Sequence, residues 1–300
     1  MTQTFTYSLP DIKPYINWLY FFYAWQMPTK YASLAAIHPC QSCHAQWLAQ
    51  FDAIERPAAL EAQKLYDDAL QMLVFFSAKF HTYARWGLFE ANAITDDILV
   101  STPQGDICLP MLRQQHVSEP NKPHLCLADF IRPRELGEND RLGVFATTVD
   151  PSIEASFQDD PYRHLLAQTL ADRLAEATAE VLHANVRRHL WGFSPDENMT
   201  PQEMFQVKYR GIRPAVGYPS LPDQSLNFLL NDLINFDTIG ITVTESGAMK
   251  PHGSVSGLIF AHPAASYFSV GHIDSDQLFD YAQRRHLPVP LVQKFLTANL

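Results

Sequence analysis

The stretch best equipped for chemistry lies between Tyr209 and Asp223, Y-R-G-I-R-P-A-V-G-Y-P-S-L-P-D, where three prolines and two glycines surround Arg213 and Tyr218. Proline fixes φ and removes backbone donors, and glycine allows close backbone approach, so the pattern predicts a rigid, irregular loop. The planar guanidinium of Arg213 can make two parallel charged hydrogen bonds, which suits a carboxylate or a phosphate. Taken alone, the segment is equally compatible with a connector whose Arg213 makes an ordinary surface ion pair.

A second group is C-Q-S-C-H at residues 40–44, the spacing of c-type haem attachment. Covalent haem of this type implies export, and the N-terminus M-T-Q-T-F-T-Y-S-L-P-D has no basic n-region followed by an apolar stretch. Cys40, Cys43 and His44, with His38 nearby, could serve a zinc or redox site, because thiolate and imidazole suit zinc. No second Cys-x-x-Cys pair reinforces that reading, and a surface insertion without chemistry is the commoner outcome; no metal is assigned. A third group, Asp172, Glu176, Glu180, His183 and Arg187, recurs at steps of three and four, which places it on one helix face. Its bland reading is a solvated stripe; the alternative is an acidic patch facing a cationic ligand or a partner.

The elements that must position these groups fit one domain, residues 1–300. The chain is 47% apolar, enough for a substantial core, and its 22 basic against 32 acidic residues exclude the electrostatic footprint of a general nucleic-acid or anionic-membrane binder. The most apolar run, Tyr15 to Met27, contains Asn17 and is too short to span a bilayer, so the expected location is cytoplasmic with reduced cysteines. That run predicts a strand or helix. Residues 57–80 carry helical spacing through Leu60, Leu65, Leu70 and Leu73. Short segments at 86–89, 98–100, 106–112, 125–131 and 141–147 read as strands of one sheet. The clearest helix is Pro161 to Trp191, with Asp160 as N-cap, Gly192 as terminator and an apolar stripe of Leu166, Leu170, Leu174, Ala177 and Val181. Beyond the proline loop the pattern predicts a helix over 226–236, a strand over 239–244 and a hairpin pairing 254–261 with 267–273. A helix over 274–286 and a short tail helix follow.

The ordered motifs Y-I-N-W-L-Y-F-F-Y-A-W (15–25), G-L-F-E-A-N (87–92), L-A-D-F-I-R-P (127–133), A-D-R-L-A-E-A-T-A-E-V-L-H (171–183), Y-R-G-I-R-P-A-V-G-Y-P (209–219) and T-E-S-G-A-M-K-P-H-G-S-V-S-G (244–257) resemble the S-adenosylmethionine-binding activation domain of cobalamin-dependent methionine synthase. The resemblance runs from about residue 11 to the C-terminus. It implies an α+β fold with a twisted, mainly antiparallel sheet flanked by helices. It also implies a function: presenting the methyl of S-adenosylmethionine to cob(I)alamin, formed by reduction of inactive cob(II)alamin on a partner domain or protein. The resemblance further implies that reduced flavodoxin or an equivalent reductase supplies the electron. The cofactors carry the hard chemistry, so the resemblance implies placement by the protein and no catalytic nucleophile or base. By motif match, Arg213 would hold the methionyl carboxylate, with Ala215 and Gly217 backbone approaching the ligand and Tyr218 beside it. Tyr267 and Phe268 match a tyrosine pair bordering the ligand, and Glu176 falls where the family places a carboxylate near ligand and corrin.

Three departures stand out. Asn17 replaces an aspartate that in the family pairs with the ligand's amino group; losing the charge-assisted part costs about 1–2 kcal/mol in a dry site. Leu221 and Gln224 replace a cysteine and a histidine, and residues 35–55, with C-Q-S-C-H, form an insertion outside the resemblance. The chain reads as a reactivation component of a methyltransferase, free-standing or a fragment of a longer enzyme. The alternative from another class is a non-catalytic module with weakened ligand affinity that caps or escorts a corrinoid protein.

Overall fold

The computed structural model describes residues 2–117 and 122–300. Its main sheet has strands β1 (Thr2–Ser8), β2 (His81–Ile94), β3 (Asp97–Thr102), β4 (Gly105–Pro110), β5 (Asp140–Val149) and β8 (Ser254–Ile259); β6 (Thr242–Val243) and β7 (Met249–Lys250) form a separate ribbon. The main order is β4-β3-β2-β5-β8, with every pairing antiparallel. The spine is β2, 14 residues long. One edge of β2 pairs first with β1, from Thr2 opposite Gly87 to Ser8 opposite His81, and then with β3. Its other edge pairs with β5 over Thr82 to Ala91.

Helices cover both sheet faces, giving the α+β architecture. One face carries the helices Trp18–Ala24, Arg56–Ser77 and Pro161–Asn185, whose Phe21, Phe22, Leu65, Leu73, Leu166 and Leu170 join Trp86 and Phe145 of the sheet in one apolar cluster. The other carries the helix Leu226–Ile234, whose Leu226, Leu230 and Leu233 pack with Val144, Leu142 and Leu258. A small satellite core joins the helices Ser275–Arg284 and Val289–Phe295 through Leu278, Tyr281 and Val292.

The long helix begins as its sequence dictates: the Asp160 carboxylate accepts the Arg163 N–H at 3.1 Å and Pro161 occupies the first turn. It is regular to Asn185, passes through a wider π turn over Val186–Leu190, and stops at Gly192 with φ +75°. Small residues let it lie close to the sheet. Ala167, Ala171, Ala175 and Ala179 are buried along it, and Thr147 Oγ1 of β5 donates to the Ala175 carbonyl at 3.0 Å.

Several expectations change. The strand expected over 125–131 is a single turn, Leu127–Phe130, because the Asp129 carboxylate accepts the Cys126 N–H at 2.8 Å and closes a capping box. The strand over 239–244 shrinks to β6. In the helix Arg56–Ser77 the buried stripe runs through Ala59, Ala62, Tyr66, Ala69, Met72 and Phe76 besides Leu65 and Leu73, whereas Leu60 is exposed. The N-terminal strand β1 was not anticipated, although alternating Phe5 and Tyr7 among threonines is a strand signal. The hairpin is absent because the proline loop takes the edge it would have used. Ile212 exchanges both backbone hydrogen bonds with Phe260 at 3.1 and 3.0 Å, Leu258 N–H donates to the Pro214 carbonyl at 3.0 Å, and Val216 N–H donates to the Ser256 carbonyl at 2.9 Å.

This seating demands glycine at 257. A Cβ there would overlap the Pro214 carbonyl oxygen and meet Phe145 at 2.8 Å and the Ala215 Cα at 2.9 Å. Gly257→Ala is therefore expected to destabilise the fold by about 1–3 kcal/mol, the usual cost of overpacking. Chemical denaturation checks this, and a midpoint equal to the parent's would contradict the close seating of the loop.

Candidate functional site

The proline loop is held from two sides. Besides its ladder with β8, it is clipped to the segment after His262: Phe268 N–H donates to Ser220 Oγ at 3.1 Å and Val270 N–H to the Pro219 carbonyl at 2.9 Å. Arg213 N–H donates to the Tyr267 hydroxyl at 2.9 Å, and that hydroxyl lies 3.3 Å from the Tyr209 hydroxyl. Tyr209 is fixed in turn by the guanidinium of Arg187, 4.2 Å from its ring centroid. Arg187 is fully buried and forks onto the Glu197 carboxylate at 2.7 and 2.6 Å. A buried ion pair thus braces the aromatic wall that positions the Arg213 backbone.

Between this loop, the helix Trp18–Ala24, the long helix and Tyr267–Ser269 lies a cavity of about 770 Å³. Asn17, Glu176, Arg213, Ala215, Tyr218, Tyr267 and Phe268 all line it, joined by Tyr20, Tyr23 and Glu180. Gly217 does not line it. With φ +86° it makes the turn, and its N–H donates to the Leu221 carbonyl at 2.8 Å. Leu221 is buried in the opposite core and Gln224 also lies outside the lining, so neither of these departures alters the cavity wall.

Charge in the cavity centres on Arg213, only 7% exposed. Its Nη2 donates to Glu180 Oε1 at 2.6 Å, and its guanidinium carbon lies 5.4 Å from the centroid of the Phe145 ring. Burial opposes the arginine's charge, but the fields of Glu180, Tyr267 and Glu176 outweigh it and raise its pKa, so it is a permanent cation. Arg213 Nε and Glu180 Oε2 have no hydrogen-bond partner among the described residues. Both atoms are sealed from the cavity, whereas Arg213 Nη1 is not among the sealed atoms and also makes no hydrogen bond among the described residues. The Tyr218 hydroxyl donates to Glu176 Oε1, and burial followed by the Glu176 charge raises the tyrosine's pKa. Asn17 is the N-cap of its helix, with Oδ1 accepting the Leu19 N–H at 3.2 Å.

Residues 8–286 match the family described as the vitamin B12 dependent methionine synthase activation domain. The chain belongs to this family. A solved structure described as the MetH reactivation domain bound to AdoHcy has a TM-score of 0.84 and 34% sequence identity to it, covering 100% of this chain and 90% of that one. Among the described residues, no helix is long and apolar enough to cross a membrane.

In this activation domain the stripe on the long helix is not a solvated face. Glu176 and Glu180 line the cavity, while His183 and Arg187 are fully buried. Glu180, like Arg173, lines the cavity although the motif resemblance assigns it no ligand contact. Its signal was present, since it stands one turn beyond Glu176 on the same face, but nothing in the spacing tells a wet carboxylate from one paired with an arginine 33 positions away. His183 packs edge-on against Tyr209, ring centroids 4.8 Å apart, with neither ring nitrogen hydrogen-bonded among the described residues.

Burial, and then the charges of Arg187 and Arg213, hold the His183 pKa well below its ordinary value of 6.5. The unfolded chain takes up a proton here as pH falls through 6.5 and the folded chain does not. The stability this neutral imidazole contributes is whole above that pH and is lost below it, at up to about 1.4 kcal/mol per pH unit. Replacing His183 by Leu should flatten the pH dependence of urea denaturation between pH 7 and 5 by up to that slope. Parallel pH profiles for parent and variant would refute the assignment.

Proposed function

We propose that the cavity binds S-adenosylmethionine and that the domain presents the ligand's methyl group to cob(I)alamin held by a partner domain or protein of methionine synthase. The observation that carries this reading is the Arg213–Glu180 pair in the cavity wall, which sets a guanidinium with an unpaired Nη1 beside a carboxylate. An amino-acid zwitterion needs both: its carboxylate takes the arginine fork and its ammonium the glutamate oxygen. A cavity of about 770 Å³ falls within the range of ordinary small-molecule sites. The relative solved with AdoHcy, a ligand carrying the same amino-acid group, adds support.

In this reading S-adenosylmethionine supplies an already activated methyl group. The chain's own residues bind and orient. Arg213 and Glu180 fix the amino-acid end, the backbone at Ala215 approaches the ligand closely, and Tyr218, Tyr267 and Phe268 border it. The exposed Tyr20 and Tyr23 flank the opening toward the corrin. Such positioning can contribute on the order of 7 kcal/mol to the transfer barrier. No side chain is assigned a proton transfer. Reduced flavodoxin or an equivalent reductase is the proposed electron source, and the setting is cytoplasmic.

Glu180 supplies the anion that Asn17 lacks. Asn17 is spent partly on capping its helix, so its substitution lowers affinity without removing the ammonium's partner. The reading of this chain as a non-catalytic escort loses two of its three supports, because Leu221 and Gln224 stand off the cavity wall.

Calorimetric titration with S-adenosylmethionine is expected to show Arg213→Ala and Glu180→Gln each weakening binding by ~1.5–3 kcal/mol, about 10- to 150-fold, and Asn17→Asp strengthening it by ~1–2 kcal/mol. Unchanged affinity in Glu180→Gln would remove the zwitterion assignment. With an activation-domain-deleted methionine synthase, a reductant and S-adenosylmethionine, the parent chain should restore methylcobalamin; complex formation without methylation would favour the escort.

A further inference from the structure

The C-Q-S-C-H segment takes no part in the cavity, yet it is built more firmly than a surface insertion requires. Cys40 is the N-cap of the helix Gln41–Leu48, and Cys43 stands one turn inside it. The helix is anchored by Trp47, which is 1% exposed, donates to Ser33 Oγ at 2.9 Å and packs edge-on against Tyr31 and Phe51. This anchoring fixes the direction in which the two thiols emerge. The Cys43 N–H donates to Cys40 Sγ at 3.4 Å, and Ser42 Oγ lies 3.2 Å from the same sulfur. His38 comes in from the preceding turn, so that one donor atom each from His38, Cys40 and Cys43 lies within 4.8 Å of the others. His44 lies outside this cluster, with its Nδ1 3.1 Å from Gln63 Nε2.

We propose that His38, Cys40 and Cys43 form a site for a thiophilic divalent cation, zinc foremost, with three protein donors and an open fourth position. Zinc–sulfur and zinc–nitrogen bonds of about 2.3 and 2.0–2.1 Å put tetrahedral donors roughly 3.6–3.8 Å apart, so the observed cluster needs to contract by only about 1 Å. His38 is exposed and both thiols are half-buried, so the side chains have room to do so. Binding displaces the protons of both thiols: two cysteine thiols, neutral His38 and the hydrated dication become a neutral dithiolate–imidazole–water complex, two protons and the displaced waters. The two thiolates together cancel the charge of the dication.

The experiment is a cobalt(II) titration of the reduced, chelator-stripped chain, followed by zinc. One equivalent should produce thiolate-to-cobalt charge-transfer and four-coordinate d–d absorbance, both displaced by zinc. Cys40→Ser or Cys43→Ser should abolish the charge-transfer band or halve it, His38→Ala should weaken binding at least tenfold, and His44→Ala should leave it unchanged, with far-ultraviolet circular dichroism equal in all four variants. The proposal is overturned if the parent chain gives no charge-transfer band, if His38→Ala binds as tightly as the parent, or if His44→Ala weakens binding as much as His38→Ala.

Discussion

Everything at the candidate site depends on the backbone ladder between the proline loop and the outer edge of β8. Four hydrogen bonds, two at Ile212 and one each at Pro214 and Val216, turn an irregular segment into a sheet-edge cover. The prolines limit what that segment can do elsewhere, and Gly257 removes the one side chain that would hold it off. An exposed strand edge is a liability, and here it is consumed by the element that carries the cavity-lining arginine. The result is a loop with the positional precision of a strand, which a binding site needs.

The second constraint is electrostatic. Placing Arg213 almost entirely out of water is unfavourable unless a carboxylate and further polar groups meet it. Glu180 meets one nitrogen and Phe145 lies beneath the guanidinium, but Arg213 Nε and Glu180 Oε2 remain unsatisfied. Unpartnered buried polar atoms are uncommon, and here they mark a cost concentrated at one wall of the cavity. The bracing of Tyr209 by the Arg187–Glu197 pair belongs to the same arrangement, since Tyr209 and Tyr267 together present the hydroxyl that receives the Arg213 N–H.

How much of this was legible in the sequence depended on how local its cause was. The long helix could be read from Asp160, Pro161 and Gly192 because caps and terminators act within a turn. Arg213, Tyr218, Tyr267, Phe268, Asn17 and Glu176 could be named as candidates from motif resemblance, and the fold brings them around one cavity. The absent hairpin was not legible, because apolar alternation at 267–273 cannot reveal that the β8 edge is already occupied by a loop from 40 or more positions earlier. The Arg213–Glu180 pairing was hidden for the same reason. Gly217 falls between these cases: a glycine in a loop is recognisable, whereas the turn it makes at φ +86° shows only in the fold.

The proposed seating of the ligand's amino-acid end on Arg213 and Glu180 is tested most directly by a crystal structure of this chain with S-adenosylhomocysteine. The ligand carboxylate is expected within hydrogen-bond distance of the Arg213 guanidinium and the ammonium on Glu180, with the loop backbone unmoved. An amino-acid end lying away from both residues, or a site in which Arg213 and Glu180 remain paired only with each other while the ligand is bound elsewhere, would contradict it.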